Sequence, residues 1–333
     1  MNVYLIKPSE GISYNITQAV ESVTWSGSVF SAGRTAEISY VNAPMDKSVN
    51  IPQIAMGDFL ALEYESAQSN PEIFYGQFFG IERSSDTGTI SYTAFDMMKN
   101  LLESTGKYNF KNITPEAVTA QVCADIQVPV GNLATTGINI KSMLCDSITY
   151  YDIVMGAYTR AYKMTGKKYL PMIWQRKFCV YEAVYEVSNF VLSDELNITQ
   201  ASISESMSSV KNKIVILDDK GNQVGEITDN DSMNTYGTFQ EIYEQEEGVD
   251  ALTVAKQLLK TLPEQEISVS VIGDLNCQSG YAVAVQDAAT GLTGRYWIKS
   301  DKHIWKDGIY MMDLELSFEK LMDEVEIEEE VMA

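Results

Sequence analysis

One stretch, Ile54 to Asp96, narrows the possible folds of this chain more than any other. It reads IAMGDFLALEYE, then EIFYGQFFGIERSS, then DTGTISYTAFD, three apolar segments parted by turn residues. Gly57-Asp58 opens one segment, Gly76 sits within the next, and Asp86-Thr87-Gly88 turns the chain into the third. Strands of this length must pair or curl to hide their apolar faces. The same grammar returns near the other end. Ile267–Ile272 and Tyr281–Val285 are broken by Gly273-Asp274 and Ser279-Gly280, and Tyr296-Trp297-Ile298 and Gly308–Phe318 follow. No block of identity links the two ends, so the repetition lies in architecture. The expectation is two β-barrels in one chain.

Between and around these runs the pattern divides the 333 residues further. Val20–Phe30, with Val23, Trp25 and Val29 on one face, and Arg34–Val41 read as strands, ended by Asn42-Ala43-Pro44. Phe95–Leu102 reads as a short closing helix. Thr114-Pro115 places a hydroxyl cap before proline at a first helical position, so a helix runs to about Ile126. A second begins near Asp146, carries Ile148, Tyr151, Met155, Tyr158 and Tyr162 on one side, and stops at Gly166. Leu170–Trp174 and Phe178–Val184 form a hairpin across Gln175-Arg176-Lys177. Lys213–Leu217 and Gln223–Thr228 form another around Asp218–Asn222. A polar stretch covers Asn230–Gly248. A last helix runs from Asp250 as cap to Pro263, with Leu252, Ala255, Leu259 and Leu262 inward.

The expected class is α+β, mainly β. A first β-barrel domain covers 1–102, an α/β middle domain 103–196, and a second β-barrel domain 197–320 with a helical insertion near 250–262. An acidic tail, 321–333, reads as a frayed, solvated end.

Charge and composition exclude several functions. With 46 acidic against 24 basic side chains the formal charge is −22, which repels nucleic acid and anionic membrane surfaces. Solubility accounts for much of that excess. A second reading is a passage through which a polyanion slides without sticking. The opening MNVYLIKPSEG lacks the pattern of a signal peptide, and no apolar run reaches bilayer length. Cys123, Cys145, Cys179 and Cys277 are scattered singly, which reads as buried reduced thiols in a cytoplasmic assembly.

His303 is the single histidine, so multi-histidine metal centres and HExxH sites are excluded. It falls between Lys302 and Ile304 in an expected turn. No GxSxG surrounds a serine, and Gly166-Lys167-Lys168 lacks the framing of a phosphate loop. The acids of Asp218–Asp231 miss calcium-loop spacing. The reading is therefore no enzyme, with no catalytic, cofactor-binding or metal-ligating residues and no cofactor. Paired carboxylates acting on glycans stay open, because acids are plentiful.

The strand run resembles the tail-hub proteins of contractile phage tails, in particular the baseplate hubs of PBSX-type prophages and phage-tail-like bacteriocins. The residues that carry the resemblance are Trp25 with Arg34, Ile51-Pro52, Gly57-Asp58, Phe74-Tyr75-Gly76 and Tyr92–Asp96. Tyr296 through His303 and Gly308–Phe318 continue it. The resemblance implies two barrels of tail-hub type with an α/β segment, as in the hub part of type VI secretion spike proteins. It implies a homotrimer whose six barrels imitate a sixfold tail tube on one side and present threefold symmetry to a central spike on the other. The implied partners are the tail tube protein, the spike and other baseplate proteins, without tight nucleic-acid binding or membrane insertion. The implied location is the bacterial cytoplasm during assembly, then the released particle. His303 matches a structural position, and no lysozyme-like or peptidase domain follows Phe318. The alternative is a tail-associated protein that binds or cleaves glycans with acidic and aromatic groove residues.

Overall fold

The computed structural model describes residues 1–42, 51–65, 71–84, 88–245 and 251–327. Ala43-Pro44, Asp86-Thr87 and Asp250, expected at strand ends and a helix cap, lie outside these residues. The chain divides into two compact units, Met1–Ala201 with Ser268–Ala333, and Ser202–Ile267.

The chain is mainly β, and the first unit is built on one long sheet. Its order runs from Ile12–Asn15 through Asn2–Lys7, Phe59–Glu63, Glu72–Arg83, Thr89–Phe95, Ser31–Val41 and Val20–Ser28. It continues through Leu292–Lys306 and Ile309–Ser317 to Glu264–Ile272 and Ile198–Ser206. Ala282–Asp287 pairs antiparallel with the first half of Leu292–Lys306 and parallel with Glu186–Ser193.

Two closed barrels were expected, and none of the sheets among the described residues closes. The reason is a seam. Val20–Ser28 lies antiparallel to Leu292–Lys306 from Ser28↔Ser300 to Ser22↔Lys306. Each strand group therefore satisfies a free edge on the other instead of on itself. The first group still packs its own core, with Leu5, Trp25, Ile38, Leu60, Phe78 and Ala94 buried together.

Gly76 shows why this packing needs a residue without a side chain. A Cβ there would overlap the Phe95 carbonyl and the Phe74 ring. Gly57 turns the chain at φ +92, and Asp58 behind it accepts from Ala55 N (2.9 Å) and from Lys7 Nζ (3.0 Å).

The α/β region of the same unit has its own core around Val118, Val122, Met143, Val154, Tyr158 and Phe178. Helix Pro115–Asp125 begins as expected, with Thr114 Oγ1 accepting from Ala117 N. The second helix spans Tyr150–Thr165, beginning four residues later than the sequence suggests. Ile140–Thr149 is instead a strand, paired with Thr105–Ile113, and Thr149 Oγ1 caps the helix by accepting from Asp152 N. Gly166 ends it at φ +72. Tyr169–Trp174 and Lys177–Glu182 form the expected hairpin, with Gln175 and Arg176 both at positive φ, and Val130–Leu133 joins it in parallel.

The acidic tail is not frayed where it is described. Met322 is buried in that core, and Val325 and Ile327 pack against it. Met312, Leu314 and Leu316 are buried, whereas Phe318, next in that alternation, is half exposed.

The second unit is a three-stranded sheet. Lys213–Leu217 lies between Gln223–Thr228, antiparallel, and Gln240–Glu244, parallel. The stretch read as merely polar holds helix Asn230–Tyr236, capped by Asp229, and that third strand. Helix Ala251–Leu258 covers Ile214 and Ile216 with Ala255, and Leu259 just beyond it packs against them. Leu252 and Leu262, expected inward, are exposed: the helix stops at Leu258, and Lys260 already bridges to Lys211.

Candidate functional site

The polar residues of interest converge on the seam. Trp25 and His303 are cross-strand partners, and Ala36 is the next partner of Trp25. Asp301 and His303 stand two apart on a strand, so both side chains point to one face. That face is the interior: Asp301 and His303 are 2% and 0% exposed. The expected turn at His303 is thus mid-strand, and the chain reverses only at Asp307-Gly308, both at positive φ.

Arg34 reaches this pair across 267 residues of sequence. Its Nη1 donates to Asp301 Oδ1 at 3.1 Å and its Nη2 to Oδ2, a two-pronged match of guanidinium and carboxylate. The guanidinium carbon lies 3.8 Å from the centre of the Trp25 ring, and Gly27 leaves the room it needs, since a Cβ there would overlap Arg34 Nη1. Asp301 Oδ1 also accepts from Ser279 N at 2.6 Å. Burial alone would push the Asp301 carboxyl up. The Arg34 charge, with hydrogen bonds from His303 and Arg34, outweighs burial and holds it well below the usual carboxylate range.

The histidine is fully committed. Nε2 faces Asp301 Oδ2 and the Cys277 carbonyl, both at 3.2 Å, and each of these only accepts. Nε2 therefore carries a proton, and Nδ1 lies 2.7 Å from the Tyr310 hydroxyl, which can donate or accept. Both ring nitrogens thus have partners. Trp305 stacks on Tyr310 at 4.4 Å, and the Trp25 ring lies 5.0 Å from His303. Nothing in this cluster offers a solvent-facing nucleophile or base. It is a rivet that joins the first strand group to the last.

Asp96 extends the network. Its carboxylate accepts from Arg34 N (3.1 Å) and Met98 N (3.0 Å), so it starts helix Met98–Glu103. Burial pushes its pKa up to about 7, against the pull of those hydrogen bonds and of the Arg34 charge.

Other candidates resolve into structure. Asp218 Oδ1 accepts from Lys220 N and Asn222 N and shapes the hairpin turn. The four cysteines are free and buried, with burial pushing the Cys123 thiol up to about 12. Among the described residues, no three His, Cys, Asp or Glu side chains gather where a metal ion could be held, and no helix is long and apolar enough to cross a membrane. A cavity of about 350 Å³ lies beside the seam, lined by Tyr64, Trp305 and Tyr310 with Glu21 and Lys306. Two surfaces suit assembly. Among the described residues, Ile12–Asn15 ends the sheet order with one neighbour and Glu186–Ser193 pairs on one side, with Val184, Tyr185 and Val191 exposed beside or on it.

Sequence reasoning identified Trp25, Arg34 and His303 as positions of interest but did not bring them together, and it missed Asp301 as their hub. The available signal was the spacing of Asp301 and His303 on one face of an otherwise apolar strand.

A family model described as YQBQ-like matches residues 23–317. The phage-like element PBSX protein XkdQ of Bacillus subtilis (strain 168) is 23% identical over 333 residues, covering 97% of this chain and 99% of that protein. The 43 kDa tail protein of prophage MuSo2 from Shewanella oneidensis has a TM-score of 0.70 at 16% identity, over 98% of this chain and 100% of that one. The E. coli c3393 protein has a TM-score of 0.53 at 10% identity, over 94% and 76%. It is described as a type VI secretion component structurally similar to T4 bacteriophage tail proteins gp27 and gp5.

Proposed function

The chain belongs to the YQBQ-like family and is a homologue of the PBSX protein XkdQ, and on that footing we propose that it is the structural baseplate hub of a contractile phage tail or tail-like particle. It joins a sixfold tail tube to a threefold central spike, as a homotrimer and without catalysis. One observation carries the reading: the family match, 23–317, takes in most of the first strand group, the α/β region and the last strand group together. Two strand groups per chain let three chains set six similar elements around an axis, which suits a part that must meet both symmetries. The open strands at Ile12–Asn15 and Glu186–Ser193 supply edges on which neighbouring chains can pair. Part of the −22 charge then lines the channel, where it keeps a polyanion from adhering.

The test is mass in solution, alone and with tail tube and spike proteins added. A three-chain species that binds both supports the hub. A chain that stays monomeric and binds neither overturns it.

The cavity lined by Tyr64, Trp305 and Tyr310 favours a second reading, glycan binding, because stacked aromatics beside Glu21 suit a sugar ring. Titration with cell-wall saccharide fragments separates the two. Binding that is lost in Trp305→Ala supports the glycan reading, and no heat with any fragment removes it.

A further inference from the structure

The last described residues do something that the sheet does not need. After strand Ile309–Ser317, residues 321–327 have neither helix nor strand structure, yet they lie along helix Tyr150–Thr165 and are held at nearly every step. Met322 is buried, and its sulfur accepts from Tyr169 N at 3.4 Å. Tyr151 Oη donates to Asp323 Oδ2 at 2.8 Å. Val325 N donates to Thr159 Oγ1 at 3.0 Å, and Arg160 Nη2 donates to the Ile327 carbonyl at 3.0 Å. Lys163 pairs with Glu326 at 2.5 Å and Lys168 with Glu324 at 3.7 Å.

The helix is shaped to receive it. Gly156 stands under Ile327, and a Cβ there would overlap the Ile327 Cδ1. Glycine within a helix is unfavourable on its own account, so its presence on this face fits close approach by the segment. The groove offers small or hydroxylated residues on its floor, apolar recesses for Met322, Val325 and Ile327, a hydroxyl for Asp323, and cations opposite Glu324 and Glu326. Its contacts are side chain to backbone, hydroxyl to carboxylate and charge to charge, and among the described residues no ladder ties the segment to a strand.

We propose that residues 321–327 form a clasp that docks and leaves as a unit, and that the groove of helix Tyr150–Thr165 is a binding site for an extended acidic and apolar peptide, with the chain's own clasp as its resident occupant.

Thiol labelling of the full chain tests this. Met322→Cys places a thiol under the clasp, and the native Cys123 and Cys145, buried in the same core, report opening of the whole region. The introduced thiol is expected to react at least 100-fold faster than Cys123 and Cys145. A synthetic peptide of residues 319–327 at millimolar concentration should raise its rate further by occupying the vacated groove. Gly156→Ala should speed it at least 10-fold while leaving Cys123 and Cys145 unchanged or slower, because the helix itself gains from alanine. Ile327→Cys repeats the measurement at the other end of the clasp. An introduced thiol that reacts only in step with Cys123 and Cys145, or a rate indifferent to the peptide, makes the segment part of the core and overturns the proposal.

Discussion

Removing the Asp301 carboxylate should cost this protein a large part of its stability. In Asp301→Ala the Arg34 guanidinium, 15% exposed, loses both prongs of its pairing, and Ser279 N and His303 Nε2 lose an acceptor. Breaking one side of a buried ion pair costs about 3–5 kcal/mol, since the other charge is left uncompensated. Taking ~4 kcal/mol, the folded-to-unfolded ratio falls about 10³-fold, out of a total stability of roughly 5–15 kcal/mol. With a urea slope of about 3 kcal/mol/M for a chain of this size, the midpoint should drop by roughly 1.3 M. Tryptophan fluorescence suits the assay, because Trp25 lies against Arg34 and Trp305 against Tyr310. The cycle Arg34→Ala, Asp301→Ala and both together should give a coupling of at least ~2 kcal/mol. A pH arm follows from the sign of the shift. A carboxyl held below its unfolded value adds stability that is complete above the unfolded pKa, about 4, and is lost as pH falls toward the folded pKa. The wild type should therefore weaken below about pH 4 by a component that Asp301→Ala lacks. A midpoint change under ~0.3 M, or a coupling below ~0.5 kcal/mol, would refute the rivet.

Asp96 behaves oppositely: its carboxyl is pushed up to about 7, so stability should decline as pH rises from about 4 to about 7 and then level off. Asp96→Asn should flatten that slope in urea titrations across the range. Gly76→Ala should destabilise by about 1–3 kcal/mol, because its methyl meets the Phe95 backbone rather than a movable side chain, as thermal unfolding will read. Thiol titration should find no fast-reacting cysteine in the native chain and four free thiols after denaturation without reductant.

The elements that sequence revealed are those closed by local chemistry. Thr114-Pro115, Gly166 and Asp218–Asn222 each act on residues within a turn of themselves, so their caps and hairpins stand where expected. The pairing of Thr105–Ile113 with Ile140–Thr149 escaped because the partners are parted by a helix and a strand, and Ile140–Thr149 does not alternate cleanly. The seam escaped for the same reason on a larger scale. Its place between Lys302 and Ile304 made His303 look like part of a turn, and Trp25, far upstream, explains why a histidine can be buried there. The doubled strand grammar was real, but whether two groups close separately or join is decided by which free edges meet.

The seam also sets a clock. Strand Val20–Ser28 is synthesised well before its partner Leu292–Lys306. At about 5–20 residues per second, the 267 residues between Arg34 and Asp301 take roughly 13–53 s to appear. Once Thr89–Phe95 has been made, the growing chain carries seven of the thirteen strands of the sheet, with the rim at Val20–Ser28 unpaired and Arg34 unmatched beside it. Such a rim invites the same rim on a neighbouring nascent chain. Chaperone cover or slow, dilute expression should therefore govern the yield of this protein far more than the stability of the finished fold.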